Sequence, residues 1–257
     1  MSTNHGQFCW YDLMTGDTKA AESFYGGVLG WEAKDAGMGD PSYRLLSIGP
    51  ATVGGLMPIP ESLRAAGARP RWSGYVWVDD VDAYALRVKA AGGSVHRAPE
   101  DIPGVGRFAV VADPGGAAFM LFKGAGGHER PQVAPGTPGH IGWHELHAGD
   151  GHSAFAFYSG LFGWTKAEAI DMGPMGVYQT FATGGAPVGG MMTKMPDMPA
   201  PMWLYYFNVA AIDAAMARVT RGGGQVVMGP HQVPTGQWIL QCIDPQGALF
   251  AMVAPKR

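Results

Sequence analysis

The sequence predicts an α+β protein with two tandem domains, each made of two βαβββ modules. The first observation is an internal repeat, in which the same residues return 133 positions later: Trp10, Asp17, Tyr25, Gly30 and Trp31 as Trp143, Asp150, Tyr158, Gly163 and Trp164. The second is that each half runs strand, helix, strands, and then the same order again. The third is a Gly- and Pro-rich segment, residues 124–139, which is typical of a linker. Together they predict a first domain at residues 1–123 and a second at residues 140–257.

Two further motifs keep almost the same spacing. Gly54-Gly55 returns as Gly189-Gly190, and the Asp-Pro-x-Gly turn at Asp113 returns at Asp244. Tryptophans, glycines and an Asp-Pro turn do not recur by chance at a nearly constant spacing over most of a chain. We therefore interpret the chain as a tandem duplication. Any site is therefore expected in two related copies, which duplication leaves free to diverge.

The first module begins with a predicted strand at residues 8–14. Asp17 then caps a helix whose apolar residues fall at i, i+3, i+4 and i+7, and Gly30 ends it. These apolar residues are Ala21, Phe24, Tyr25 and Val28. Short strands are predicted at residues 31–36, 43–48 and 52–58.

The second module follows a Pro-rich loop at residues 58–70. It begins with a strand at residues 72–78 and continues with a helix capped at Asp79 or Asp80, which ends at Gly92-Gly93. Strands at residues 94–98, 107–112 and 118–122 complete it. The second half repeats both modules, with two more apolar helical faces: Phe155, Tyr158 and Phe162, and Ile212, Ala215, Met216 and Val219.

Composition narrows the class of partner. The chain has 257 residues and a formal net charge of −3, so it has no general attraction for nucleic acid or anionic lipid. Cys9 and Cys242 are the two cysteines and occupy non-equivalent places in the repeats, so no disulfide framework is predicted. No secretory signal and no apolar stretch of about 18 residues is visible. We expect a cytoplasmic protein with a small-molecule partner, no nucleic-acid partner and no membrane contact.

The repeated motifs resemble those of the vicinal-oxygen-chelate superfamily, which includes glyoxalase I, bleomycin-resistance proteins, fosfomycin-resistance enzymes and extradiol dioxygenases. The resemblance lies in Asp17 followed by Phe24-Tyr25-x-x-Val28-Leu29-Gly30-Trp31, its copy from Asp150 to Trp164, and the two Asp-Pro-x-Gly turns. It covers residues 8–254. It implies that paired modules form half-open eight-stranded barrels, two in this chain.

The resemblance also implies where a metal would be held in metal-using members. Those positions are a His or Gln on the first strand, a His at the start of the fifth, and Glu on the fourth and eighth. Here they fall on Trp10, Trp143, Ser73, Leu204, Met120 and Ala251, and no glutamate lies at residues 54–57 or 189–192. None of these side chains suits a hard or borderline divalent metal. We therefore expect no metal site and no cofactor.

Strand alternation suggests candidate acid–base groups. Residues two apart share one face of a strand, so Asp12 lies on the side of Trp10, and Glu145 and His147 lie on the side of Trp143. Glu145 and His147 are predicted to hydrogen-bond as an acid/base pair, with Asp12 as the carboxylate of the other copy. The alternative is a polar pair at a strand edge near solvent. His144 is predicted to face away from His147, which disfavours a histidine metal site.

Aromatic and thioether side chains are the candidate ligand-binding residues. If the tryptophans occupy the ligand side of their strands, each barrel has an aromatic wall. The predicted wall residues are Trp10, Trp143, Trp72, Tyr75, Trp77, Met120 and Tyr206. The alternative is that the same side chains form the core.

Two functions are consistent with these features. The first is a metal-independent protein that binds a small hydrophobic or aromatic molecule, as bleomycin-resistance members do. The second is an enzyme, either a lyase or isomerase acting on a carbonyl compound or a hydroxylase/dioxygenase-type enzyme acting on an aromatic one. Because the duplication supplies a partner within the chain, a monomer that is a pseudo-dimer is expected, with a homodimer as the alternative.

Overall fold

The computed structural model describes residues 3–37, 43–126 and 133–257, so residues 127–132 of the predicted linker lie outside the described residues. The helices are α1 Thr18–Leu29, α2 Glu61–Ala65, α3 Val81–Ala90, α4 Gly151–Phe162 and α5 Ile212–Arg221. The strands of the first half are β1 Phe8–Thr15, β2 Glu32–Asp35, β3 Arg44–Ile48, β4 Ala51–Pro58, β5 Arg71–Trp77, β6 Ser94–Ile102, β7 Gly106–Ala112 and β8 Ala118–Gly124. Those of the second half are β9 Ile141–Ala148, β10 Thr165–Asp171, β11 Val177–Ala182, β12 Pro187–Thr193, β13 Met202–Asn208, β14 Gln225–Gln232, β15 Trp238–Ile243 and β16 Leu249–Ala254.

The strands form two eight-stranded mixed sheets with the same topology. The orders are β2-β3-β4-β1-β5-β8-β7-β6 and β10-β11-β12-β9-β13-β16-β15-β14. Neighbouring strands within a module are antiparallel, except that β1 runs parallel to β4 and β5 parallel to β8. Each sheet begins and ends on an edge strand, so it is not closed. The predicted α+β class with four βαβββ modules in two half-open barrels is confirmed.

Helices α1 and α3 begin at the capping residues that the sequence predicted. The Asp17 carboxylate accepts a hydrogen bond from the backbone N–H of Ala20, and Gly30 ends α1 at φ 76°, in the left-handed region that favours glycine. Of the two candidate caps for α3, Asp80 is the residue used, because its carboxylate accepts from the N–H of Ala83.

Two elements differ from the prediction. The segment read as a loop at residues 58–70 contains the short helix α2, which begins after Pro60. Strand β6 runs to Ile102, beyond the predicted end at residue 98, because it pairs with β7 as far as Ile102 with Gly106. Its last residues include Pro, Glu and Asp, which have low strand propensity, so the pairing with a neighbouring strand overrides local preference.

Contacts between residues group the described chain into two compact units. The first unit comprises residues 3–9, 74–126 and 144–203, and the second comprises residues 10–37, 43–73, 133–143 and 204–257. Each unit therefore contains one module from each half of the sequence. The domain boundaries at residues 123 and 140 stay a prediction.

In the second unit, a buried hydrogen-bonded chain links the repeated tyrosine to the repeated Asp-Pro turn. The Trp72 indole N–H donates to the Tyr25 hydroxyl at 2.9 Å, and that hydroxyl donates to Asp244 Oδ2 at 3.1 Å. Burial, with the nearby Asp244 carboxylate, raises the pKa of Tyr25 well above its usual value, so the hydroxyl keeps its proton.

The first unit contains the same arrangement. The Trp203 indole N–H donates to the Tyr158 hydroxyl at 3.1 Å, and that hydroxyl donates to Asp113 Oδ2 at 3.2 Å. In both units the tyrosine comes from one half of the sequence and the aspartate from the other. The tyrosine and the Asp-Pro-x-Gly turn therefore recur together, because the buried tyrosine hydroxyl of one half needs the aspartate carboxylate of the other half as its hydrogen-bond acceptor.

Candidate functional site

In the second unit, three residues form what we call the first-half network: Trp10 and Asp12 on β1, and Tyr43 before β3. Asp12 is only 3% exposed. The Trp10 indole N–H lies 2.8 Å from Asp12 Oδ1, and the Tyr43 hydroxyl donates to the same oxygen at 2.6 Å. The indole N–H is also 2.7 Å from the Tyr43 oxygen. The three groups are thus mutually hydrogen-bonded around one carboxylate oxygen.

In the first unit, the second-half network consists of Glu145 and His147 on β9 and Tyr178 on β11. Glu145 and His147 are each 8% exposed. His147 Nε2 lies 3.0 Å from Glu145 Oε1, and the Tyr178 hydroxyl donates to Glu145 Oε2 at 3.0 Å. The structure brings together the two residues that strand alternation placed on one face, and it buries them instead of leaving them at a solvent-exposed edge. Their catalytic role stays a prediction.

The repeated glycine pairs make room for these tyrosines. Gly55 lies beside Asp12 in the parallel register of β1 and β4, and Gly190 lies beside Glu145 in that of β9 and β12. A methyl group at Gly55 would overlap the Tyr43 hydroxyl, and one at Gly190 would overlap the ring of Tyr178. The absent side chain lets a phenol lie across the strand and reach the carboxylate.

Tyr43 and Tyr178 were missed by the sequence analysis. A signal was present, because the two tyrosines are 135 residues apart, the same offset as Gly55 and Gly190. Each tyrosine also lies just before or within a strand that pairs with the glycine-containing strand. The shared offset by itself does not indicate that the tyrosine side chain packs over the glycine of the neighbouring strand.

Two other histidines of this region, His144 and His140, have hydrogen-bond partners outside the network. His144 Nδ1 lies 2.7 Å from the carbonyl oxygen of Val188, and its ring stacks on Phe8 with centroids 4.0 Å apart. Burial lowers the pKa of His144 to about 4, so it is neutral at pH 7. His140 is half-buried, and its Nδ1 lies 3.3 Å from the Pro138 carbonyl oxygen. The partners of His144 are thus Val188 and Phe8, whereas His147 lies beside Glu145.

The described side chains do not suit a metal ion at the positions that the superfamily uses. Those positions present indole, hydroxymethyl, isobutyl, thioether and methyl groups, from Trp10, Trp143, Ser73, Leu204, Met120 and Ala251. Across residues 3–37, 43–126 and 133–257, no three His, Cys, Asp or Glu side chains converge closely enough to hold a metal. The donor set does not fit the metal of the metal-using members.

In the first unit, three of the predicted wall residues share one face of neighbouring strands. Tyr75 on β5 is in register with Met120 on β8, and Trp77 is in register with Phe122. The Phe122 ring meets Tyr75 and Trp77 edge-on, with centroids 6.0 and 5.9 Å apart. Trp77 and Phe122 remain partly exposed. They form an apolar, aromatic face.

In the second unit, Trp143 and Tyr206 belong to a second apolar face. Trp143 is partly exposed and packs against a buried cluster together with Ile239 and Leu249. That cluster consists of Leu204, Tyr206, Ala251 and Val253. Gln241 donates from its side-chain amide to the Tyr206 hydroxyl at 3.0 Å, which adds one polar group to the face.

Trp72 is placed differently from the other predicted wall residues. Its indole N–H is bonded to Tyr25, and its ring packs at about right angles to that of Tyr25 with centroids 5.4 Å apart. It also packs against Trp31 and Phe207, and it is buried. This environment favours the alternative interpretation for Trp72, a core residue.

Comparison with known proteins agrees with the fold. The model of the Glyoxalase/Bleomycin resistance protein/Dioxygenase superfamily matches residues 7–121 and again residues 138–252. The chain belongs to this superfamily, as the resemblance of its motifs implied. The two matches fall on the two halves of the duplication.

Relatives align over nearly the whole chain. CFP32 of Mycobacterium tuberculosis, whose name assigns it provisionally to the glyoxylases, is 34% identical over 249 residues, 96% of this chain and 94% of that protein. The anthracycline biosynthesis protein DnrV of Streptomyces peucetius is 34% identical over 263 residues, which cover 96% of this chain and 93% of that protein. The Mn(II)-bound glyoxalase of Novosphingobium aromaticivorans superposes with a TM-score of 0.69 at 18% identity, covering 98% of this chain and 83% of that one, a likeness of fold.

In the described part of the chain, none of the helices combines the length and the apolar character that crossing a membrane requires. The expected cytoplasmic location stays a prediction.

Proposed function

We propose that the protein binds a small aromatic or hydrophobic compound without the help of a metal. The observation that carries this proposal is the replacement of the superfamily's metal-binding side chains by Trp10, Trp143, Met120 and Ala251. An indole offers a large flat surface for stacking and one N–H donor, whereas it is no ligand for a divalent metal.

The two apolar faces support this proposal. Ligand sites are lined mainly by apolar and aromatic side chains with a few polar groups that fix orientation. Partly exposed Trp77 and Phe122 in the first unit, and Trp143 and Ile239 in the second, leave ring and alkyl surface available for contact. The buried carboxylates of Asp12 and Glu145 lie on the same strands as Trp10 and Trp143.

The name of one relative, DnrV, supports the same class of ligand. That name places DnrV in the biosynthesis of anthracyclines, a class of polycyclic aromatic compounds. A flat ring system of this kind matches faces built of Trp, Tyr and Phe, because aromatic rings stack and meet edge-on.

Equilibrium dialysis with 1-methoxynaphthalene tests the proposal. We expect saturable binding that EDTA does not change, and Trp143→Leu lowers the affinity about 5- to 10-fold by removing ring stacking. Trp238→Leu is the matched control, because Trp238 is also partly exposed but alternates with Ile239 and Gln241 along β15 and carries Arg257 over its ring. Binding that requires an added divalent metal, or equal losses in both variants, would contradict the proposal.

The second-half network favours one alternative, an acid–base enzyme acting on a small carbonyl compound. A buried imidazole 3.0 Å from a carboxylate is suited to moving a proton to or from a bound substrate. The test is conversion of the hemithioacetal of methylglyoxal and a small thiol by EDTA-treated protein. Turnover that Glu145→Gln abolishes while binding survives would support the enzyme; turnover unaffected by that change would exclude this assignment of groups.

A further inference from the structure

The two networks are copies of each other with one chemical difference. The carboxylates of Asp12 and Glu145 and the phenols of Tyr43 and Tyr178 occupy equivalent positions of the repeat. The residue two positions beyond the carboxylate is a methionine, Met14, in the first half and a histidine, His147, in the second. A thioether is only a weak acceptor, whereas imidazole both donates and accepts hydrogen bonds.

His147 is buried, and neither of its ring nitrogens makes a hydrogen bond among the described residues. Its side chain is 10% exposed, so nine-tenths of it is removed from solvent. Nε2 faces Glu145 Oε1 at 3.0 Å, an ion-pair distance, although the alignment does not meet the geometry of a hydrogen bond. Nδ1 has no hydrogen-bond partner among the described residues. A buried nitrogen in this condition is uncommon in folded proteins and indicates a polar group that the protein chain does not supply.

In the first-half network, hydrogen bonds join the three side chains to one another. Asp12 Oδ1 receives both the Trp10 indole N–H and the Tyr43 hydroxyl, and these two groups also lie within hydrogen-bond distance of each other. Met14 adds no donor there. The first-half network thus holds the strand and the tyrosine together, whereas the second-half network contains a buried ring nitrogen that has no hydrogen-bond partner among the described residues.

We propose that the second-half network recognises an acidic hydroxyl group, a phenol or an enol, on the bound aromatic compound. This rests on the proposed function and names the substituent that its ligand carries. If His147 carries one ring proton, on the Nε2 that faces the Glu145 carboxylate, Nδ1 is an acceptor and takes the ligand O–H. If His147 is protonated at both nitrogens, Nδ1 donates to the ligand oxygen, and Glu145 balances the charge. A hydroxyl fits both states, whereas an ether oxygen fits only the second.

A pair of probes with one ring system tests the hydroxyl alone. The probes are 1-naphthol and 1-methoxynaphthalene, and their dissociation constants are measured for the full chain and for His147→Leu. We expect the chain to prefer 1-naphthol by about tenfold, and His147→Leu to lose that preference while 1-methoxynaphthalene still binds. Met14→Leu is the matched control at the equivalent position and keeps the preference.

Each outcome distinguishes this inference from the proposed function. Equal affinity of the chain for both probes, or a preference that survives in His147→Leu, would overturn the role of His147 and leave the binding function standing. Failure of both probes to bind would overturn the binding function itself. If His147→Leu does not fold, ¹⁵N NMR of the unsubstituted chain decides, since 1-naphthol must shift the His147 Nδ1 resonance and an unchanged resonance would refute the contact.

Discussion

Replacing Gly190 with alanine would separate Tyr178 from Glu145 without touching either residue. The new methyl group would overlap the Tyr178 ring, and the ring would have to swing away from β12. Its hydroxyl would then lose the 3.0 Å hydrogen bond to Glu145 Oε2, leaving a carboxyl group that is 8% exposed with one partner fewer. A hydrogen bond to a charged group contributes about 1.5–3 kcal/mol.

The alanine itself offsets part of this loss. Glycine in a strand is less favourable than alanine by roughly 0.5–1 kcal/mol, since it has more conformational freedom in the unfolded chain. We therefore expect Gly190→Ala to lower the free energy of unfolding by about 1–2 kcal/mol. Urea unfolding followed by circular dichroism measures this value.

Two variants make the measurement specific. Gly160→Ala is the control, because Gly160 lies in α4 with nothing near its missing side chain, and we expect it to stabilise the chain by about 0.5–1 kcal/mol. In a Tyr178→Ala background, Gly190→Ala has no ring to displace, so we expect the destabilisation to disappear and the gain of about 0.5–1 kcal/mol from alanine to remain. The same cost with and without the Tyr178 ring would refute the explanation of the glycine pair.

Three further outcomes follow from buried polar groups. Tyr158→Phe leaves the Asp113 carboxyl without its phenol partner, so we expect a loss of about 1–3 kcal/mol in the free energy of unfolding; a loss below about 0.5 kcal/mol in urea titrations would contradict this. Burial lowers the pKa of His144 from 6.5 to about 4, so the unfolded chain binds the proton more readily, and stability falls by roughly 3 kcal/mol as the pH drops from 6.5 towards 4. His144→Gln should flatten that part of the profile of stability against pH, and an unchanged slope would assign the loss to other groups. Burial raises the pKa of the Cys242 thiol to about 12, so iodoacetamide at pH 8 should modify it only after unfolding, as mass spectrometry of the native and denatured chain would show.

The local elements followed from the sequence because their causes are local. Asp17 and Gly30 bound α1 through contacts within one turn of the helix, so a short stretch of residues contains the whole signal. The duplication was equally visible, since Trp, Gly and Asp-Pro at a constant offset need no structure to be counted. Alternation along β9 was enough to place Glu145 beside His147 and to turn His144 away.

The partners of these residues depended on the tertiary structure. Tyr25 and Asp244 are 219 positions apart, and nothing near either one specifies which tyrosine meets which aspartate. Tyr178 reaches Glu145 only because β11 pairs with β12, β12 pairs with β9, and a glycine stands where the phenol crosses. The extension of β6 to Ile102 was decided in the same way, by the strand beside it. Contacts between distant parts of the chain form when sheets assemble and bury polar groups together, and a single sequence read in short windows contains no record of that pairing.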